Sequence, residues 1–515
     1  ILTGRRGQGG STITMQLARR LQGLDTRSWR GKLEQMLWAL RYDMHYTKDE
    51  ILTAYLTLTP YGGNVEGIEA ASLVYFGKHA SQLTAAESIA LSVVPQNPVK
   101  RHPVTGPDFD RARLAVGRKA INDGFVSERL RPVVEGPLKV RGTRALPFEA
   151  PHFTRLVEGT RPDPVLKTTL SLPLQESMEK ILSENVARLR PYGIENGAML
   201  VVDSRDMSVL AQVGSIDFFN SAIAGEVDGT RAARSPGSTL KPLTAVAALE
   251  TGNVTLTEKI KDTGKWTYPG SPQSYTYCWD RSGHGLLNVT EAITNSCNYF
   301  FATMGYRMGM DTLVEYLKAF GLGSHTGIEV GDSTGTLPKN PPGEDQAPWA
   351  AFGQSSQAYT PLQLANYIAT LVSGGEHCEA HLLKAIKSYD NTEVLAMGDS
   401  SVKNTVSIKD STLEAVKEGM LGYTQPGGDL YTYFRNCVVK AGAKTGTAQL
   451  GGGQTNNGVF VCFAPYDDPQ IALAMVIEHG NAGAALASTA VNILNAYFSA
   501  DEIGTAVIGE NQLLQ

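Results

Sequence analysis

Apolar residues in the first 120 positions recur every three or four residues: Leu33, Met36, Leu37 and Leu40, then Ile51, Leu52, Tyr55 and Leu56. That is the period of a helix with one apolar face. The pattern predicts a mostly helical region, with one helix running to Leu21 and opened by Ser11 as N-cap after Gly9-Gly10. Another is predicted over 84–94, before Pro95 and Pro98 stop it. Tyr61-Gly62-Gly63-Asn64 reads as a loop. Residues 121–165, with several prolines and no sustained period, read as a linker. From Lys167 the texture changes. Apolar runs at 197–203 and 208–214 predict a strand pair around a polar turn, and 438–440, 458–463 and 471–477 predict three more strands. Between them lie a helix with Leu240, Leu243, Val246, Ala247 and Leu249 on its inward side and helices at 289–308, 310–320, 361–373 and 410–422. A last helix covers 484–498. Strands, a helical block, strands and a final helix imply an α+β domain with an antiparallel sheet flanked by helices. The expected division is a mainly α part over 1–120, a linker over 121–165, the α+β domain over 166–505 and a tail over 506–515.

At 515 residues the chain exceeds a single core, and 42% hydrophobic with 19% charged residues is ordinary for folded domains. The net charge of −5 gives no reason to expect nucleic acid, but it is unevenly spread: 16 Lys/Arg against 10 Asp/Glu make 1–120 net +6, leaving −11 for the rest. A basic first region suits phosphate or lipid headgroups, or is simply a solvated helix face. No run of 18 apolar residues crosses a membrane. The chain opens at Ile1 rather than Met, inside a motif, and reads as a fragment whose start, with an anchor, lies upstream. Five cysteines at wide spacings show no CxxC and no Cys/His cluster, so neither metal nor cofactor is expected. Cys278 and Cys297 could pair; free thiols are the expectation.

Three short motifs carry the candidate chemistry. In Ser238-Thr239-Leu240-Lys241, a serine at a helix N-terminus has a lysine one turn on. A serine hydroxyl attacks only when a neighbour takes its proton, and a lysine in a dry cavity has the lowered pKa to do so. Ser296-Cys297-Asn298 supplies a hydroxyl to relay a proton and an amide to bond Lys241 or substrate. Lys444-Thr445-Gly446-Thr447 offers positive charge and a hydroxyl for a carboxylate, a glycine against which a substrate backbone lies, and a Thr447 amide to join that of Ser238 as oxyanion donors. Each alone is commonplace: an N-cap with a surface lysine, a polar turn, a strand end. Together they supply complementary roles, with 54 residues between Lys241 and Ser296 and 145 between Asn298 and Lys444.

This set, with Arg234-Ser-Pro-Gly-Ser-Thr-Leu-Lys-Pro242, Gly353-Gln354 before Thr360-Pro-Leu-Gln-Leu-Ala365, and Ala441–Ala448, resembles the transpeptidase domain of penicillin-binding proteins over roughly 167–500. The resemblance implies a serine transpeptidase/β-lactamase-like fold and peptidoglycan stem peptides ending in D-Ala-D-Ala as substrate. It also implies a Ser238 acyl-enzyme and β-lactams as covalent inhibitors. Tyr277-Cys-Trp-Asp280 is closer to class B wording. Residues 9–16, 51–56, 67–71 and 75–78 resemble the family 51 peptidoglycan glycosyltransferases to about 115, so the layout is that of the bifunctional class A type (1C-like) with a lysozyme-like first part cut short. The resemblance makes Ser11, Thr12, Gln16, Arg19 and Lys32 candidates for binding the lipid II pyrophosphate. It implies a membrane-associated full-length protein at the extracytoplasmic face of the plasma membrane. The chain departs from the family at three points. The catalytic Glu of the upstream motif is not present, Gln35 stands for the Glu of Lys-x-x-Glu, and Thr57 stands for the Asn after Tyr-Leu. These departures count against glycosyl transfer by this chain, whose first part serves equally well as a structural pedestal, while the resemblance implies the activity in the full-length protein. Two rival functions share the nucleophile: a D,D-carboxypeptidase or serine β-lactamase using water, and a non-enzymatic β-lactam sensor.

Overall fold

The computed structural model describes residues 11–26, 28–142, 149–158, 165–388, 393–398, 400–448, 456–480 and 483–500. The expected 506–515 tail, Gly9-Gly10 and the 451–453 glycines lie outside them. Contacts divide the chain into two units, 1–148 and 149–515.

In the first unit, helix Ile13–Leu21 is capped by Thr12, not Ser11: the Thr12 hydroxyl accepts from the Met15 amide at 3.2 Å. Helices Lys48–Leu58 and Ala85–Ser92 open with capping boxes at Thr47-Glu50 and Thr84-Glu87. Helix Trp29–His45 has the predicted period, but Leu33, Met36, Leu37 and Leu40 point outward and are exposed. Periodicity finds a helix; it does not say which face is covered. The expected linker is largely structured. Helices Phe109–Asn122 and Arg131–Glu135 pack against the first unit, helix Pro151–Glu158 and strand Val165–Thr168 belong to the second, and the division falls at 148/149. Among the described residues no helix is long and apolar enough to cross a membrane.

The second unit is built on a five-stranded antiparallel sheet: β1 Gly197–Asp203, β2 Val209–Val213, β3 Gly442–Ala448, β4 Asn457–Ala464 and β5 Ile471–Ile477, in spatial order β3-β4-β5-β1-β2. The strand expected at 438–440 starts instead at Gly442. Val459, Val461 and Phe463 on β4 face one core, Phe460 and Cys462 the other, as the two-residue period requires. Both faces are covered, so β4 and β5 read as unbroken apolar runs rather than alternating ones. Helices Leu172–Leu189 and Ala487–Ala500 cover one face; the other carries Pro361–Val372 and the helical lobe that holds Lys241–Glu250. Lys241–Glu250 is buried nearly all round, not only on the expected inward side, because it is the centre of that lobe. Each Leu, Val or Phe buried here stabilises by roughly 1.5–3 kcal/mol relative to exposure.

Candidate active site

Ser238 sits in a 3-10 turn, Gly237–Leu240, and the α-helix begins at Lys241. The serine is therefore just ahead of the helix rather than on its first turn. Gly237 has φ +53 and abuts Gly353, to whose carbonyl its amide donates at 3.2 Å. A Cβ on Gly353 would sit 1.8 Å from Gly237 O, so the Gly353-Gln354 segment closes directly on the nucleophile turn.

Lys241 is fully buried. Its ammonium donates to Ser296 O at 2.7 Å, Asn298 Oδ1 at 2.7 Å and Ser296 Oγ at 3.2 Å. The second motif thus reaches the first as expected. No hydrogen bond joins Lys241 to Ser238 in this structure, whose Lys241 donors are all committed to Ser296 and Asn298. Burial lowers the Lys241 pKa to about 8, with the neighbouring Cys297 and Cys278 acting in the opposite direction.

One helix over 289–308 was expected around Ser296. The structure has two, Val289–Thr294 and Asn298–Ala319, the latter absorbing the helix expected at 310–320 with a kink at Gly309. Between them Ser296 takes the left-handed conformation at φ 48, a costly one for a residue with a Cβ. That break presents the Ser296 carbonyl and hydroxyl to Lys241. Cys297 caps the second helix through its Sγ, and Asn298 Nδ2 donates to Tyr277 O at 3.2 Å, which leaves Oδ1 for the lysine.

The third motif lies on β3, which among the described residues pairs only with β4 and forms an edge of the sheet. A Cβ added to Gly446 would stand 2.4 Å from Pro236 O and 3.3 Å from Ser238 N, so the strand runs against the nucleophile turn. Gly446→Ala must part the two backbones. Acylation of Ser238 by a fluorescent penicillin should fall by about 10- to 100-fold, as for an ångström-scale misplacement, measured as the second-order rate constant. Unchanged labelling would show that this close approach is not needed.

Lys444 differs from its expected role as a charge in the cleft. It is fully buried; its ammonium donates to Thr445 O at 3.3 Å and lies 4.3 Å from the centre of the Tyr423 ring. Burial and then repulsion from Lys241 hold its pKa well below the usual lysine range. Thr445 and Thr447 do face the cleft. Together with Ser238, Ser296 and Asn298 they line one cavity of about 560 Å³. Its other walls, which sequence reasoning missed, are Tyr275, Thr276, Tyr277, Trp279, Arg281, Trp349, Phe352, Gln354, Tyr423 and Asp429. Only Tyr277, Trp279 and Gln354 stood in stretches already singled out by wording; the rest carry no local signal.

The five cysteines are free, as expected, but two of them meet groups from distant segments. Asp262, Cys278, His284 and Cys297, dispersed in sequence, place one donor atom each within 4.8 Å of the others. His284 Nδ1 lies 2.7 Å from Asp262 Oδ2, the Cys297 thiol donates to the same oxygen at 3.2 Å, and the two sulfurs are 3.9 Å apart. Two thiols, an imidazole and a carboxylate are the donors that a zinc-type ion takes at a closed four-coordinate site, and these four could hold one. It would supply no reacting group; it would tie Cys297, and with it the flanking Ser296 and Asn298, to the strand that carries Asp262.

In the first unit, Lys32 donates to Ser11 Oγ at 2.6 Å and to Gln35 Oε1 at 2.8 Å, and Gln35 donates in turn to Met15 O at 2.5 Å. Gln16 accepts from the Tyr55 hydroxyl at 3.3 Å. Thr12 is used as the cap, and Arg19 is exposed. Ser11 and Lys32 are thus brought together, while the Gln that replaces the family's Glu is buried and bonded within the unit.

Two family models match the chain: the penicillin-binding protein transpeptidase domain over 197–498 and the transglycosylase over 1–120. Penicillin-binding protein 1C of Escherichia coli is 35% identical over 300 residues, covering 58% of this chain and 38% of that protein. Peptidoglycan D,D-transpeptidase MrdA of the same species is 29% identical over 367 residues, covering 64% and 56%. The chain thus aligns with little more than a third to a little over half of these relatives' lengths. Among solved structures, Pseudomonas aeruginosa PBP2 matches with TM-score 0.55 and 25% identity over 64% of this chain and 78% of that one. PBPA of Mycobacterium tuberculosis matches in fold with TM-score 0.55 at 23% identity, over 65% and 81%. With its three motifs gathered at one cleft and a transglycosylase-family stretch ahead of them, the chain belongs to the penicillin-binding proteins, in the class A, 1C-like layout.

Proposed function

We propose that this chain is a peptidoglycan D,D-transpeptidase acting through a Ser238 acyl-enzyme. The observation that carries the reading is the meeting of Ser238, Ser296, Asn298, Thr445 and Thr447 around one cavity, with buried Lys241 bonded to the second motif behind it. In its neutral form Lys241 takes the Ser238 proton as Oγ adds to the penultimate D-Ala carbonyl. The oxyanion is held by the backbone amides of Ser238 and Thr447. The C–N bond then breaks, the proton passes through Ser296 to the leaving amine, and the terminal D-Ala departs. An amine from a second stem peptide adds to the ester, gives its proton to the base, and frees Ser238. A β-lactam follows the first half only, since its leaving nitrogen stays attached in the opened ring.

Incubation with donor and acceptor stem peptides, followed by mass spectrometry, tests the reading: cross-linked dimers and free D-Ala are expected. Asp429 in the cleft is a carboxylate able to activate water, so hydrolysis is the second reading, and trimmed monomers alone would establish it. A penicillin adduct with neither product would make the protein a sensor.

The first unit, with Ser11 and Lys32 adjacent and Thr12, Gln16 and Arg19 on or at the start of the helix that follows Ser11, is read as a lipid II pyrophosphate site. Gln35 is committed to Met15 O and Lys32, and an amide cannot take up a proton as a carboxylate does. The exposed Trp29, Leu33, Met36, Leu37, Leu40 and Met44 of helix Trp29–His45 support contact with a lipid surface, and hence a place at the outer side of the plasma membrane in the cell envelope.

A further inference from the structure

Tyr423 follows the helix Asp410–Gly422, is almost wholly buried, and still reaches the cleft wall. Its hydroxyl lies 2.6 Å from Thr445 Oγ1, and either atom could be the donor. Its ring face lies 4.3 Å from Lys444 Nζ. One side chain therefore touches both polar members of the Lys-Thr pair on β3.

We infer that Tyr423 is a positioning residue for carboxylate recognition, orienting the Thr445 hydroxyl toward the bound carboxylate and holding the Lys444 ammonium against its ring. The inference rests on the acyl-transfer reading above. A carboxylate has no proton to donate, so Thr445 must donate to it. The Thr445 oxygen is then left to accept, and the tyrosine O–H is the donor that reaches it. The order Tyr423 O–H to Thr445 O–H to carboxylate is thus selected by the ligand, and each bond polarises the next. Without Tyr423 the threonine hydroxyl is free to rotate away. Burial pushes the phenol pKa up to about 12, against the opposing pull of the Thr445 bond, so the donor keeps its proton at neutral pH.

The contact with Lys444 follows from the same burial. Among the described residues no carboxylate lies within ion-pair distance of this ammonium, and its hydrogen bond to Thr445 O is long at 3.3 Å. The ring's negative face is the partner in direct contact, and the Asp429 carboxylate, beyond ion-pair distance, also favours the charged form. The ring thus fixes the Lys444 side chain directly behind Thr445.

The experiment compares benzylpenicillin with its methyl ester, which lacks the carboxylate charge, as acylating agents of the whole chain, with adducts followed by mass spectrometry. The wild type should prefer the free acid. Tyr423→Phe keeps the ring and its volume and removes only the hydroxyl. Its preference should fall about 10-fold, the worth of one strengthened hydrogen bond, while the ester rate stays within about two-fold. Adding Thr445→Val to Tyr423→Phe should cost much less than Thr445→Val costs alone, because the tyrosine acts through the threonine. An unchanged preference in Tyr423→Phe, or an equal slowing of both agents, would overturn the inference and leave the transpeptidase reading standing. A wild type acylated by neither agent would overturn both.

Discussion

Ser238→Ala should abolish covalent labelling by a fluorescent penicillin, with a loss beyond the detection limit of a gel assay. In the proposed mechanism the hydroxyl forms the ester bond, and no neighbouring group can replace it. Ser238 is half-buried at the cleft wall and, among the described residues, its side chain makes no hydrogen bond, so removing the oxygen leaves nothing unpaired. The unfolding free energy should therefore stay within about 1 kcal/mol of the wild type. Labelling and thermal melting on the same preparation separate lost chemistry from lost fold. Labelling that persisted would move the nucleophile to another residue.

Lys241→Ala should slow acylation by 100-fold or more, the usual contribution of a positioned general base. The pH profile is the more diagnostic measurement. Burial disfavours the ammonium and lowers the pKa to about 8, so below that pH Lys241 holds a proton and cannot accept another. The wild-type acylation rate should rise about tenfold per pH unit up to about pH 8 and level off above it. The same burial means that charging Lys241 opposes folding: the neutral form is the one the interior prefers, and the cost appears as pH falls below the unfolded-state value. In Lys241→Ala the pH-dependent rise should vanish along with the rate. A wild-type profile that is flat from pH 6 to 9 would assign the lysine a structural part, bonding Ser296 O and Asn298 Oδ1.

The three motifs were legible because each is short and its chemistry local: a nucleophile with a lysine three residues on needs no tertiary information to be noticed. The same holds for β4 and β5, whose unbroken apolar runs require burial on both faces, and for the helices opened by Thr47 and Thr84, whose capping boxes are written in four residues. Errors arose where an apolar period continued through a break. The stretch 289–308 keeps helical spacing, yet Ser296 turns left-handed, because three polar atoms must converge on one buried ammonium. Leu33, Met36, Leu37 and Leu40 form a stripe whose exposure no period reveals.

Side-chain identity and spacing therefore determined the α+β class and pointed to the reaction type and nucleophile proposed here, since these depend on groups close together in the chain. Only the tertiary structure decided that Lys241 bonds the second motif rather than Ser238, that Lys444 stands behind the cleft against Tyr423, and that Asp262, Cys278, His284 and Cys297 meet. Each of those facts is a distance between atoms carried by separate segments. Such distances follow from how two cores pack on one sheet, which no window of sequence encodes.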